Sequence, residues 1–430
     1  MTATTLDQFP DSPAILRQDW KIISLIGAAH SCSHFFQLLL PTLFLSLANE
    51  FGYSFSELGL LASVFYLVSS FGQASSGFVV DRVGPTPVLR FGLACFVAAG
   101  VLIGLSNGYA MLLLAAFIGG AGNSVFHPVD YSIINHRISA PRLGHAYSTH
   151  GLTGNLGWAL TPVFMTTIIH LADWRVATFS AAGLVAIVLL FVWLGRHLLS
   201  GRNEAQPSAV PAAKEQQQEP TVSLAEQTVG QTLATLLRQP ALWGAFFFFV
   251  CTSIALSAVQ NYTIPMLGDV YGIDKVLAGS TLSGYMVASA VGMLAGGFLV
   301  SATPKTELTV AASLVMAGVF LVVLALGVLP PTWAMLLVGL AGFSAGVATP
   351  SRDMLIRRVT PKGATGTVYG LVYSGMDVGS SLGPVGFGLM LDAGLSQGPW
   401  VGAAVAFVVA ALAAMMVARS VANRPAMAAA

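Results

Sequence analysis

Two stretches of this chain resemble each other at a separation of 222 residues, and both lie in almost uninterrupted hydrophobic sequence. The matched positions are Pro128 with Pro350, Gly144 with Gly366, Tyr147 with Tyr369, Asn155 with Asp377, Gly157 with Gly379, and Pro162 with Pro384. A repeat of this length predicts two similar units that pack together. In membrane proteins such halves are typical of transporters, whose substrate site lies between them.

The composition indicates a membrane protein. Only 9% of the 430 residues are charged, whereas a soluble domain carries about 25%. A bilayer-spanning helix needs about 20 apolar residues, and the chain holds twelve such segments. We therefore predict an all-α integral membrane protein of twelve transmembrane helices in two pseudo-symmetric six-helix bundles. The predicted parts are an N-terminal tail (1–20), a first bundle (21–198), a linker (199–238), a second bundle (239–420) and a C-terminal tail (421–430).

The distribution of basic residues predicts the orientation. With twelve spans, nearly all Lys and Arg residues of the connections and tails fall on one side, and only Arg175 and Lys275 fall on the other. Basic residues concentrate in cytoplasmic loops. We therefore expect a multi-pass protein of the bacterial inner membrane with both termini in the cytoplasm.

The end of the second span carries the motif Gly77-Phe-Val-Val-Asp81-Arg82-Val-Gly84. It resembles the signature loop of the major facilitator superfamily, and Gly84 suits a tight turn. The resemblance implies that Asp81 and Arg82 take part in gating, with the carboxylate of Asp81 held near the start of span eleven. The alternative is a solvated ion pair at a helix end.

A narrower resemblance covers spans one, four and five. The run from Gly120 to Pro128 reads Gly-Ala-Gly-Asn-Ser-Val-Phe-His-Pro, and span five contains Gly154-Asn-Leu-Gly157. Both runs are similar to the fosmidomycin-resistance branch of that superfamily. The chain departs from the branch at two ionisable positions, because His34 and Val129 stand where acids are usual. The resemblance implies drug efflux by proton antiport.

Polar side chains in the first span share one helix face. His30, His34 and Gln37 follow the spacing i, i+4, i+7, and lipid cannot satisfy them, so we expect them to face the bundle interior or a watery cavity. Because histidine titrates near neutral pH, we predict that His30 and His34 carry protons and that Gln37 binds substrate. The alternative is hydrogen bonding between helices that only holds the fold.

His127 is a second candidate for substrate binding. The following Pro128 disturbs the helical hydrogen bonds and should free a carbonyl beside the imidazole, although a purely structural kink is the alternative. Asp130 lies one turn further on, where an ion pair with Arg137 is the alternative to a functional role.

Asp377 is the most informative acid, because a bare carboxylate in the middle of a span is costly. Tyr369 and Tyr373 precede it in steps of four residues, and Asn155 is its counterpart in the repeat. We predict that Asp377 carries protons and that the two tyrosines and Asn155 bind substrate. A buried carboxylate bonded to neighbouring helices, without a role in turnover, is the alternative.

Further candidates are weaker. Asn261, in span seven, is predicted to bind substrate, and Asp353 and Arg357 have the spacing of a closing ion pair. His150 and Trp158 are expected to line span five, with structural roles as the alternative. Gly292 and Gly296 indicate close helix packing.

These patterns together predict a secondary active transporter with alternating access. The expected partners are a small-molecule substrate, protons and the lipid bilayer, without nucleic acid, and the expected state is a monomer. The chain lacks phosphate-loop, zinc-spacing and nucleophile-elbow motifs, so neither an enzyme nor a cofactor is expected. The alternatives are uptake of a small organic acid or metabolite, and a transporter-like sensor that binds a ligand without moving it.

Overall fold

A computed structural model describes residues 12–200, 239–303, 305–359 and 365–422, and the regular structure in these ranges is helical. The main helices are α1 (Pro13–Phe51), α2 (Phe55–Val83), α3 (Pro85–Gly104), α4 (Tyr109–Asn123), α5 (Phe126–Arg137), α6 (Leu143–Leu171), α7 (Trp174–Leu194), α8 (Arg196–Leu199), α9 (Pro240–Tyr271), α10 (Lys275–Ala302), α11 (Thr306–Ala325), α12 (Pro331–Val359), α13 (Thr365–Asp392) and α14 (Gly398–Ala422).

Thirteen of these helices, all except α8, form the twelve predicted spans, because α4 and α5 together make one span. Ten stretches among the described residues are long and apolar enough to cross a membrane, with α4 and α5 counted together as one. The other two spans are α6 and α13, which contain 29 and 28 residues but do not belong to that apolar set. The prediction of twelve helices is confirmed. These two spans outside the apolar set are the pair in which most matched positions of the repeat lie.

Some segment ends differ from the expected boundaries or lie outside the described ranges. Helix α1 begins at Pro13, ahead of the predicted span, and the hydroxyl of Ser12 accepts a hydrogen bond from the Ile15 amide there. Such a bond is typical of a helix N-cap. Residues 201–238 of the predicted linker and 423–430 of the predicted tail lie outside the described residues.

The fourth span is broken between α4 and α5, at Ser124 and Val125. Pro128 has no amide hydrogen to donate to the carbonyl four residues earlier, which is that of Ser124. The hydroxyl of Ser76 donates to this carbonyl at 3.2 Å. The carbonyl that Pro128 leaves free is therefore hydrogen-bonded to α2, and the role of His127 in substrate binding stays a prediction. In the second half, α12 continues through the matching Pro350 without a break.

Close packing of α10 against α12 explains the two glycines of α10. A Cβ atom added at Gly292 would meet the carbonyl oxygen of Phe343, and one at Gly296 would meet that of Val347. Small residues allow two helix backbones to approach in this way. The prediction that this glycine pair serves close packing is confirmed.

The chain forms two compact units, which we call the first unit (Met1–Leu39 and Leu67–Pro220) and the second unit (Leu40–Tyr66 and Thr221–Ala430). The division passes through α1 and α2. Within the second unit, both carboxylate oxygens of Asp392, at the end of α13, accept backbone amides at the start of α2, from Phe55 at 2.7 Å and Ser56 at 2.9 Å. A carboxylate at a helix N-terminus is favourable.

Candidate functional site

The polar face of α1 lies inside the first unit, where α5 and α6 supply its neighbours. The ring centroids of His30 and His34 are 4.6 Å apart, and His30 stacks on His150 of α6 with centroids 3.6 Å apart. His127 of α5 lies 5.3 Å from His30. The four rings form what we call the histidine cluster. It combines residues from three helices that sequence reasoning treats separately.

Asp130 joins this cluster and is completely buried. Its Oδ2 atom lies 3.0 Å from Nε2 of His150 in a hydrogen bond. Nδ1 of His30 lies at the same distance but outside hydrogen-bonding geometry. The alternative ion pair with Arg137 is not what holds this carboxylate, because the Nε atom of Arg137 donates to the Leu198 carbonyl. A buried carboxylate between imidazoles is a costly arrangement inside a membrane span, and this makes the cluster a candidate functional site.

Two glycines of α6 make the cluster possible. A Cβ atom at Gly154 would lie 2.9 Å from Cε1 of His34 and 3.0 Å from Nε2 of His30. One at Gly157 would meet the carbonyl oxygen of Ser31. The Gly-Asn-Leu-Gly run therefore lets α6 approach α1 and leaves room for the two rings.

A hydrogen-bonded network adjoins the histidine cluster through Trp158. Oδ1 of Asn123 accepts from Ser33 Oγ at 2.8 Å and from Gln37 Nε2 at 3.2 Å, while its amide group donates to Ser69. The indole nitrogen of Trp158, whose ring also lies against His34, donates to Oε1 of Gln37 at 2.9 Å. Sequence reasoning missed Asn123. Its position in the Gly-Ala-Gly-Asn motif was the signal that should have identified it.

The second unit carries a different polar group. Asp353 Oδ1 accepts from Arg352 Nε at 2.8 Å and from the Tyr373 hydroxyl at 3.4 Å. The guanidinium of Arg352 lies 5.1 Å from the ring centroid of Phe249, which also packs against Tyr373. Arg352 therefore makes both an ion pair and a cation–π contact. The side chains of Arg357 and Tyr369, predicted for this region, lie outside the described residues.

Asp377 lies in the middle of α13 and is half-buried. The Ser381 hydroxyl donates to its backbone carbonyl at 2.8 Å. Among the described residues, no hydrogen bond joins its carboxylate to another group. The role of Asp377 in carrying protons stays a prediction.

Two further side chains of the predicted site, the amides of Asn155 and Asn261, bond within their own helices. Asn155 donates to the carbonyl of Gly151 at 3.0 Å, and the buried Asn261 donates to that of Ser257 at 2.7 Å. The buried Oδ1 atom of Asn261 has no hydrogen-bond partner among the described residues. Among the described residues, no hydrogen bond joins Asn155 to the histidine cluster.

The predicted gating loop joins α2 to α3. Gly84 has a backbone φ of +89°, which favours glycine, and it precedes Pro85 at the start of α3. Arg82 is exposed. The side chain of Asp81 lies outside the described residues, so its contact with span eleven stays a prediction.

An apolar groove of about 750 Å³ lies in the first unit between α2, α3 and α4, away from the histidine cluster. Its lining includes Phe71, Val79, Phe91 and Phe117. Acyl chains suit such a lining better than a polar substrate does. We therefore place the candidate site at the polar groups and not in this groove.

Comparisons with known proteins agree with this architecture. The fosmidomycin resistance protein of Escherichia coli (strain K12) is 34% identical over 176 residues, which are 40% of this chain and 43% of that protein. The membrane sensor protein UhpC of the same organism is 26% identical over 254 residues, 56% of each chain. Both alignments span less than two thirds of those relatives.

A likeness in structure extends over nearly the whole chain. The crystal structure of a bacterial homolog of the human lysosomal transporter Spinster, in an inward-facing and occupied conformation, superposes with a TM-score of 0.72 at 14% identity. The match covers 93% of this chain and 96% of that one. The sequence profile of the Major Facilitator Superfamily matches residues 25–384 and 257–428. This chain belongs to the Major Facilitator Superfamily.

Proposed function

We propose that this chain is a secondary active transporter that expels a small organic molecule across the bacterial inner membrane in exchange for protons. The observation that carries the proposal is the placement of Asp130 and its imidazole neighbours inside membrane-spanning helices. Polar and ionisable groups are expensive there and are found where a transporter handles its substrate or ions. Membership of a transporter superfamily and the likeness to the fosmidomycin resistance protein support the same reading.

In this proposal each half of the repeat supplies substrate-binding side chains. Gln37 and His127 contribute from the first half, and Asn261 and Tyr373 contribute from the second. Gln37 already exchanges hydrogen bonds with Trp158 and Asn123, so its amide is held in a fixed orientation. A fixed amide beside an aromatic ring favours a ligand with both polar and apolar parts.

Asp377 is the proposed proton carrier. A carrier must exchange with water during the transport cycle, and Asp377 is half-buried, whereas Asp130 is sealed by its contacts. The carboxylate of Asp377 has no hydrogen bond to a described residue that would fix its protonation state. The roles predicted for His30 and His34 in proton transfer stay predictions.

A test combines resistance with proton movement. The full chain and Asp377→Asn, at matched abundance, are expressed in a strain that lacks its own drug exporters. The wild type should raise the inhibitory concentration of fosmidomycin or another antibiotic in a screened panel. In inverted vesicles acidified by respiration, that compound should release protons, because antiport moves them outward as the drug enters.

Asp377→Asn should abolish both effects, because an amide cannot bind and release a proton near neutral pH. Glu307→Gln, which changes an acid in the first turn of α11, is the matched control and should behave as wild type. Full proton-driven flux in Asp377→Asn would overturn the carrier assignment. Proton entry with substrate, instead of release, would favour the alternative of symport.

A ligand sensor is the second candidate, because a relative of 26% identity is a membrane sensor protein. A sensor would bind its ligand without transmembrane flux. Purified protein in proteoliposomes separates the candidates: saturable binding without accumulation of the ligand favours the sensor, and accumulation driven by a proton gradient favours the transporter.

A further inference from the structure

We propose that His30, His127 and His150 form a binding site for one divalent transition-metal ion, such as Zn²⁺ or Co²⁺. Asp130 supplies the fourth ligand. The site lies within the first unit and is built from α1, α5 and α6. It shares Asp130 and the imidazoles with the proposed drug efflux, but it concerns a second kind of ligand and is tested by binding alone.

The positions of the ring nitrogens carry the proposal. One nitrogen from each of the three imidazoles lies within 4.8 Å of the other two. In a tetrahedral zinc site, bonds of about 2.0–2.1 Å place neighbouring ligand atoms about 3.3 Å apart. Binding requires the rings to turn about their side-chain bonds so that the nitrogens converge, because His30 and His150 are stacked with an interplanar angle of 25°. Because ligands of a metal site can come from distant parts of a chain, the lack of a sequence spacing motif does not count against the site.

The carboxylate already lies at ligand-to-ligand distance. Asp130 Oδ2 is 3.0 Å from Nδ1 of His30 and 3.0 Å from Nε2 of His150. An ion bound by these three groups would replace close contacts between them with bonds to a shared cation. The remaining ligand, His127, has its ring centroid 6.0 Å from that of His150 and 5.3 Å from that of His30.

Unsatisfied polar atoms are a second, independent observation. Nδ1 of His30, Nδ1 of His127 and Oδ1 of Asp130 are buried without a hydrogen-bond partner among the described residues. Each such atom carries a desolvation cost. A bound cation would be coordinated by some of these atoms. Hydrogen bonds inside the cluster leave all three of them unsatisfied.

The donor set indicates which ions fit. Imidazole nitrogens suit zinc, cobalt, nickel and copper, whereas magnesium and calcium prefer carboxylate, carbonyl and water oxygens. Three neutral imidazoles and one carboxylate leave a single net positive charge after a divalent ion binds. A buried site with one carboxylate therefore favours a divalent transition metal over a hard cation.

The test uses the full chain, purified in detergent with an affinity tag that contains no histidine and then treated with a chelator. Co²⁺ is added and its visible ligand-field absorption recorded, and Zn²⁺ affinity is measured by competition with a chelating dye. We expect one ion per chain, with the intense bands of tetrahedral Co²⁺. His127→Gln should weaken binding by more than about 100-fold, beyond the effect of changing an outer-sphere partner.

The matched control is His136→Gln on the same helix. His136 is exposed and its Nδ1 atom bonds to the Ser132 carbonyl, so its removal should leave affinity and spectrum unchanged. His150→Gln is a second ligand variant. Binding that survives in both ligand variants would overturn the proposal, and so would a wild type that shows no tetrahedral bands. The wild-type spectrum is therefore decisive even where a variant fails to fold.

Discussion

The helix pair α1–α6 in the first unit and the pair α9–α13 in the second cross in the same way. At Gly157 an added Cβ would meet the Ser31 carbonyl and lie 3.1 Å from the His34 Cβ. At the matching Gly379 it would meet the Val250 carbonyl and lie 2.8 Å from the Ser253 Cβ. The repeat thus preserves a glycine at the point where two backbones touch.

The side chains around these two crossings differ in kind. His30 stacks on His150 and lies beside the buried Asp130. By the same register, which pairs Ser31 with Val250 and His34 with Ser253, the counterpart of His30 is Phe249, whose ring packs against Tyr373 and the guanidinium of Arg352. Asp130 itself aligns with Arg352 in the 222-residue repeat. The two halves thus keep the same backbone crossing, but an acid–imidazole group surrounds it in the first unit and a cation–aromatic group surrounds it in the second.

The largest difference between the halves should appear on removal of their acids. Asp130→Ala should lower the free energy of unfolding by about 3–5 kcal/mol, because it leaves buried imidazoles without their partner. Asp353→Ala should cost less than about 1 kcal/mol, because its side chain is 44% exposed and its ion pair is solvated. Unfolding in mixed micelles at increasing denaturing detergent measures both. Equal losses in the free energy of unfolding would show that the two acids contribute equally to stability, which would contradict this expectation.

The two helix crossings at Gly157 and Gly379 should instead lose equal stability when the glycine is replaced by alanine. Gly157→Ala and Gly379→Ala should each cost about 1–3 kcal/mol in the same unfolding experiment, because the added methyl group forces two backbones apart. Gly183→Ala in α7 is the control, since no described residue lies within 4 Å of its added Cβ, and it should cause no loss. A large loss of stability at only one of the two crossings would show that the two helix pairs are not packed alike.

The smallest expected loss of stability concerns the break in the fourth span at Pro128. Ser76→Ala should lower the free energy of unfolding by about 1 kcal/mol, because the Ser124 carbonyl that Pro128 leaves free then loses its hydrogen-bond donor. Ser75→Ala is the control, since the exposed Ser75 hydroxyl bonds only within its own helix, to the carbonyls of Phe71 and Gly72. Unfolding measurements that give equal values for both variants would show that the broken fourth span does not depend on this bond.

Sequence reasoning recovered the helices and one face of the site, because both depend on local pattern. The spacing of His30, His34 and Gln37 predicted one shared side of α1, and in the structure the two imidazole rings lie together and Gln37 is hydrogen-bonded to Asn123. Asp130 was weighed only against Arg137, its neighbour in the chain. Its true partner, His150, belongs to another helix, and no pattern within one span indicates how two helices are rotated toward each other.

The chain itself determined that this protein is a membrane-embedded pair of related helical halves, because hydrophobic length and a repeat are properties of linear order. Tertiary packing decided which polar groups meet. Gly154 and Gly157 bring α6 close enough to α1 for His150 to reach His30 and Asp130. Contacts between buried polar groups depend on ångström-scale distances between helices, and a one-dimensional sequence does not encode those distances residue by residue.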